Sequence, residues 1–263
     1  MQDYAKYFKN TIDDFMNKSI NIDPISVIPL QVESFLDDDR LMSSTGFIVS
    51  DQGNNYLITN WHVVTCRSPS DNQPLLPTGQ ADPNRLKIWY HVKNKLGNWT
   101  QISEDLLDHK SGTKKWIEHP NGSNIDVVAL PISVNNNVGT YCLDLNLSKI
   151  DLIIAPSEPV SIVGFPFGLS SVGKFPIWKT GHIASDIDLN YNGDPKFLID
   201  ATTKPGMSGS PVFAKRIGMQ KTSTGLNMGG DSTKFLGIYS GRILDDSDVG
   251  VVWKPEILDS ILP

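Results

Sequence analysis

The sequence predicts an all-β protein of the antiparallel sandwich or barrel kind, preceded by one short helix. Three observations carry this. Beyond residue 25 the chain is a succession of short β-branched or aromatic runs, among them "VIPLQVES", "TGFIVS", "NYLITNW", "RLKIWYHV" and "DVVALPI", punctuated by Gly, Asn, Asp and Pro. Further runs follow in "PVSIVGFP", "IWKTGHIAS", "KFLID", "SPVF", "FLGIYSG" and "VGVVW", with little helical periodicity between them. A hydrophobic content of 39%, a charged content of 20%, and 10 Phe, 7 Tyr and 6 Trp supply the core of an ordinary globular protein. At 263 residues the chain suits one large β unit or two barrels.

Taken in order, residues 3–18 place Tyr4, Tyr7, Phe8, Ile12, Phe15 and Met16 at spacings of three and four, the pattern of an amphipathic helix, which Asp23-Pro24 ends. The strands then begin. Residues 135–158 are loose and polar, dividing the β region in two, and ligand sites favour such junctions. The expected organisation is a helical extension over 1–25, a first β unit over 26–145 and a second over 146–263. Two stretches, 66–84 and 214–233, are rich in turn formers and are expected as long surface loops.

Several function classes fall away on composition. The net charge is −6 and no basic run exceeds "KK" at 114–115, so a nucleic-acid partner is not expected. A basic leader followed by an apolar core is missing, as is any run of about 18 apolar residues, so no membrane association and a cytoplasmic location are expected. Cys66 and Cys142 are too few for a disulfide framework or a four-cysteine zinc site, and are expected as free thiols. The histidines at 91, 109, 119 and 182 have no ligand spacing, so neither a metal nor another cofactor is implied.

The chemistry is concentrated in three places. "TTKPGMSGSPVF", residues 202–213, frames Ser208 with Gly206 and Gly209 in a turn that opens into an apolar strand. "YLITNWHVV" places His62 at the end of a strand, and "NGSNIDVVALPI" places Asp126 at the start of another. A serine hydroxyl is a weak nucleophile at neutral pH, so it needs an adjacent base, and the base needs an orienting partner. The chain order His62, Asp126, Ser208 is one of several in which that chemistry occurs.

On these residues the sequence resembles the chymotrypsin-fold, trypsin-like serine peptidases. The likeness is to the bacterial branch with HtrA-like and glutamyl-endopeptidase-like enzymes, carried by "GFIVS", "LITNWHVV", "DVVALPI", "PGMSGSPVF", "FLGIYSG" and "VGVVW" between residues 45 and 253. The resemblance implies two six-stranded antiparallel β-barrels with the active site between them. It implies His62 as base, Asp126 as its orienter, Ser208 as nucleophile, and the Gly206 and Ser208 N–H groups as the oxyanion hole. Ser210, the competing hydroxyl, is assigned to strand packing.

The same resemblance implies a specificity pocket walled by Thr202, Thr203, Tyr239, Ser240, Gly241 and Gly250. No acid stands at its base, which argues against Lys or Arg substrates, and Tyr239 replaces the histidine of glutamyl endopeptidases. Small or medium apolar side chains are expected there, with Arg242 near the rim able to draw an acid. Met207 stands where digestive relatives carry an Asp that captures a new N-terminus, so activation by that ion pair is not expected. Control is assigned instead to the N-terminal helix, the long loops or a regulatory protein partner. The expected substrate is a protein or peptide. The rival reading is a catalytically silent or latent peptide-binding module of the same fold, against which the intact His62, Asp126 and Ser208 count.

Overall fold

The computed structural model describes residues 21–263 apart from residue 245, so the helix expected over 3–18 lies outside the described residues. The first half builds a sheet from β1 (Pro29–Leu36), β2 (Asp39–Asp51), β3 (Asn54–Thr59), β4 (Arg85–Val92), β5 (Lys95–Asp105), β6 (Ile117–Glu118), β7 (Val128–Ile132) and β8 (Val138–Gly139). Its order is β5-β4-β1-β2-β3-β7-β6, with β8 beside β4. Six strands were expected here; the two additions, β6 and β8, are each two residues long. The second half forms a closed barrel, β10-β11-β14-β13-β12-β9, from β9 (Pro159–Gly164), β10 (Ile177–Ile183), β11 (Lys196–Asp200), β12 (Pro211–Thr222), β13 (Gly225–Arg242) and β14 (Val249–Trp253). The fold is all-β, as expected, with two β units.

Each unit has its own core. Val32, Ile48, Leu57, Leu86, Ile88 and Tyr90 fill the first, and Ile162, Phe197, Ile199, Val212, Leu236 and Val252 fill the second. A third cluster joins them: Phe47, Val49 and Ile58 from the first pack with Val163, Phe213, Phe235 and Trp253 from the second. Phe47 and Phe235 meet edge to face across the seam at 5.8 Å. Full burial of each such side chain is worth about 1.5–3 kcal/mol. The seam is therefore apolar and rigid, and it supports the turns that carry the polar residues.

The stretch 214–233, expected as a loop, is a correction: it forms the outer part of the β12–β13 hairpin, paired from Pro211↔Ile238 to Thr222↔Gly225. Its glycines misled the pattern. Gly218, Gly229 and Gly230 have φ of 83°, 95° and 78° and sit at a register shift between Ile217 and Met219, where a bulge uses them without breaking the ladder. The stretch 66–84 is irregular, as expected.

His91 is 1% exposed and lies 5.1–5.9 Å, ring centre to ring centre, from Tyr141, Trp99 and Phe175. Its Nδ1 has no hydrogen-bond partner. Burial pushes its pKa down to about 4. An unfolded histidine takes its proton near pH 6.5, so below that value the unfolded chain binds the proton that the fold refuses. The fold keeps this contribution above pH 6.5 and loses it as pH falls towards 4, by about 3 kcal/mol in full. We expect the denaturation midpoint to fall between pH 7 and pH 4.5, and His91→Phe, which fills the same cage without titrating, to flatten that fall. An unchanged acid limb in the variant would remove this explanation.

Candidate active site

The site lies where the two units meet, and His62 reaches it by a different local route from the one expected. Strand β3 ends at Thr59, and His62 sits on a helical turn, α1 (Trp61–Thr65), not at a strand terminus. Asn60 starts the turn and Cys66 closes it in the left-handed conformation, its N–H donating to the His62 carbonyl. Glu118 holds α1 from outside by accepting from Trp61 Nε1 at 3.1 Å and Trp116 Nε1 at 2.8 Å. The imidazole is thereby fixed through its backbone.

Asp126 stands two residues before β7 and is 3% exposed. Its carboxylate accepts three hydrogen bonds: from the His62 backbone N–H (2.9 Å), from His62 Nδ1 (2.7 Å) and from Ser240 Oγ (2.5 Å). With Nδ1 donating, Nε2 is left as the acceptor nitrogen of the neutral ring. A β-bulge at Ser240, between the pairs Tyr239↔Val252 and Gly241↔Val251, directs that hydroxyl at the carboxylate. Sequence reasoning placed Ser240 only against substrate and missed this contact; an irregularity in a strand leaves no mark on its alternation.

Ser208 takes the second position of the second of two consecutive turns. Met207 N–H donates to the Lys204 carbonyl and Ser210 N–H to the Met207 carbonyl. Gly206 (φ 98°) and Gly209 (φ 82°) each take the third position of a turn, where positive φ is needed, and Pro205 takes the second position of the first. A side chain fits at neither glycine. A Cβ on Gly206 would stand 2.3 Å from the Phe165 carbonyl oxygen, and one on Gly209 would stand 2.0 Å from that of Thr45.

The carbonyls of the first turn's two central residues are both held. Pro205 C=O accepts from Phe167 N–H at 2.6 Å, and Gly206 C=O accepts from Thr45 Oγ1 at 2.8 Å. Because C=O and N–H point in opposite directions in a trans peptide, fixing Pro205 C=O turns the Gly206 N–H the other way. Among the described residues, neither the Gly206 nor the Ser208 N–H has an acceptor. Thr45 also donates its N–H to the Ser208 carbonyl and accepts from Phe165 N–H, so one buried threonine joins three segments. Thr45 was not a candidate from sequence, where it reads as one more strand residue.

Ser208 Oγ donates to the Ser240 carbonyl at 3.0 Å, and no hydrogen bond joins it to His62. Met207 is fully buried among apolar neighbours, where an ion pair would find no partner. Ser210 is fully buried, its Oγ packed where a Cβ on Gly164 would stand. Cys66 is buried and its thiol is pushed up to about 12 by desolvation, which leaves no thiolate at neutral pH. Both cysteines are free. Of the residues expected to wall a pocket, Thr203 and Tyr239 are buried and hydrogen-bonded to each other, Gly250 lies against the Tyr239 ring, and Thr202 is exposed. A cleft of about 450 Å³ runs past Asp126, Ser240, Gly241 and Arg242. Among the described residues no group of three or more His, Cys, Asp or Glu could hold a metal ion, and no helix is long and apolar enough to cross a membrane.

The model of the trypsin-like peptidase domain matches residues 44–218, more than half of the chain. The chain belongs to that family. This trypsin-like peptidase is a serine endopeptidase of the chymotrypsin fold. Similar solved structures include a serine endoprotease from Yersinia pestis (15% identity, 92% of this chain and 65% of that one, TM-score 0.51) and the protease Anisep from Arthrobacter nicotinovorans (13%, 89% and 93%, 0.51). Another is the thermostable serine protease AL20 from an extremophilic microorganism (13%, 92% and 100%, 0.50). At these identities the likeness establishes the peptidase's fold alone. A search among curated proteins found no match.

Proposed function

We propose that the chain cleaves peptide bonds in protein or peptide substrates with His62, Asp126 and Ser208 as its triad. Ser208 Oγ attacks the carbonyl carbon as its proton passes to His62 Nε2, and the resulting imidazolium is stabilised by Asp126. The tetrahedral intermediate collapses by expelling the amine, which takes the proton from His62, and the acyl group remains on Ser208. Water, deprotonated by His62, then attacks the acyl-enzyme, and the second tetrahedral intermediate collapses to the acid product as Ser208 Oγ leaves and takes that proton from His62.

The observation that carries the reading is the pair of backbone N–H groups, Gly206 and Ser208, that have no acceptor among the described residues. Unpaired donors are costly to keep unless something accepts from them, and an oxyanion at this point does. Phe167 donates to Pro205 from the left-handed conformation (φ 55°), which costs a non-glycine residue about 1–3 kcal/mol. The surrounding structure sustains that cost while orienting the hole.

A latent state is the second reading, and one observation favours it: Ser208 Oγ is bonded to Ser240 and not to His62. Rotation about χ1 to another staggered position reorients the hydroxyl, and catalytic hydrogen bonds often tighten only with substrate bound. A regulatory protein partner acting on the surrounding loops would bias the same rotation. Two free cysteines support a reducing, cytoplasmic setting.

The test is Gly206→Ala. Its Cβ cannot be placed without moving the Phe165 carbonyl or the turn, so we expect kcat on a peptide substrate to fall about 10²–10³-fold, with KM changed far less. A fall below tenfold, in protein shown to be folded, would remove Gly206 N–H from the mechanism.

A further inference from the structure

We propose that Tyr239 is the specificity-determining residue of this site, closing the floor of the acyl-side pocket so that only small, uncharged side chains fit beside the scissile carbonyl. The inference rests on the triad assignment above for the position of that carbonyl.

A carbonyl oxygen seated between the Gly206 and Ser208 N–H groups puts its acyl side chain between the two segments that flank Ser208. One is the run 202–206, which leads into the oxyanion turn. The other is the end of β13, tied to the nucleophile by Gly209 N–H to the Tyr239 carbonyl, Tyr239 N–H to the Ser210 carbonyl and Ser208 Oγ to the Ser240 carbonyl. A Cβ on Gly241 would touch nothing within 4 Å, so the mouth of this slot is open.

Its depth is not. The Tyr239 hydroxyl crosses from β13 to the opposite wall, where it is hydrogen-bonded to Thr203 Oγ1. On the third side the ring lies against Gly250, whose missing Cβ would stand 2.6 Å from Tyr239 Cε2 and 3.3 Å from its hydroxyl oxygen. Thr203 and Tyr239 are 1% and 2% exposed, so no open space extends past the pair.

The chemistry of the floor narrows the substrate further. Burial raises the pKa of the phenol, so the floor stays neutral at physiological pH. One of the two hydroxyls donates to the other, and the floor itself carries no fixed charge to offset the desolvation of a charged substrate side chain, Arg242 standing at the rim of the cleft. With the floor at Tyr239 and Thr203, long side chains are excluded and Gly, Ala and Ser are accepted.

The experiment separates this claim from catalysis. Binding of N-acetyl tetrapeptides with free C-terminal Ala, Val, Leu or Phe, the acyl-side products of cleavage, is measured on full-length Ser208→Ala protein with Tyr239 intact or replaced. The Ala peptide should bind at least tenfold more tightly than the Phe peptide. Tyr239→Val should reverse or abolish that ratio, and Tyr239→Phe, which keeps the ring and disturbs the fold least, should preserve most of it. Equal or tighter binding of the Phe peptide with Tyr239 intact would overturn the proposal, as would a ranking unchanged in Tyr239→Val. In parallel, fluorophosphonate labelling of protein with Ser208 intact reports catalysis. A size ranking without labelling leaves the floor standing and defeats the peptidase mechanism; labelling without a ranking does the reverse.

Discussion

Replacing Ser208 with Ala is expected to lower kcat for peptide hydrolysis about 10⁶-fold, and His62→Ala to do the same. The two losses should not add, because nucleophile and base act as one unit. Removing either leaves the oxyanion donors and substrate binding in place, which sustain about 10³–10⁴-fold catalysis over water. Stability should hardly change in Ser208→Ala, whose side chain makes one hydrogen bond, to Ser240, and is not part of any core cluster. Peptide hydrolysis followed alongside thermal unfolding checks both halves of the expectation. A loss below 10²-fold in folded protein would point to a different nucleophile, and Ser210 is too deeply buried to serve.

Asp126→Asn carries the second-largest expected effect, a fall in kcat of about 10⁴-fold. Three donors converge on this carboxylate: the His62 N–H, His62 Nδ1 and Ser240 Oγ. An amide has one acceptor oxygen and an NH₂ group, so it must turn that NH₂ towards at least one of the three. Facing Nδ1, it donates to the ring and forces the tautomer with hydrogen on Nε2, which can no longer take the proton from Ser208. The same orientation faces Ser240 Oγ, which shares that oxygen with Nδ1, and displaces the hydroxyl that buttresses the site; the opposite orientation sets the NH₂ against the His62 backbone N–H, which then loses its acceptor. A buried donor left unsatisfied costs about 1–3 kcal/mol, so a lower unfolding midpoint is expected as well. Full activity in Asp126→Asn would show that His62 is oriented by something other than this carboxylate.

Much of this site was legible in the sequence because its parts are local and chemically unusual. Gly206 and Gly209 stand where positive φ is compulsory, and the apolar runs after Asp126 and around His62 mark strands whose ends meet at the seam. The all-β class followed from alternation and from the lack of helical periodicity. What was missed depends on tertiary contact. The hydroxyl of Thr45 joins β2 to the nucleophile turn, 161 residues away in sequence, and the Ser240 bulge exists only because β13 and β14 are paired. The 214–233 hairpin was hidden by glycines that signal a loop in sequence yet serve a bulge in the sheet. His62 was placed on a strand because Trp61, Val63 and Val64 continue its apolar run, whereas Asn60 and the left-handed Cys66 enclose a single helical turn.

Peptide hydrolysis by this site requires Ser208 to be an activated nucleophile, and covalent labelling reads that property directly. Purified full-length protein is treated with a fluorophosphonate and the adduct is located by mass spectrometry of peptides. One adduct is expected, on Ser208, that forms in the wild type and is lost in both Ser208→Ala and His62→Ala. Labelling at another residue, labelling that persists in His62→Ala, or no labelling of folded wild-type protein in the presence of a peptide substrate would contradict that expectation.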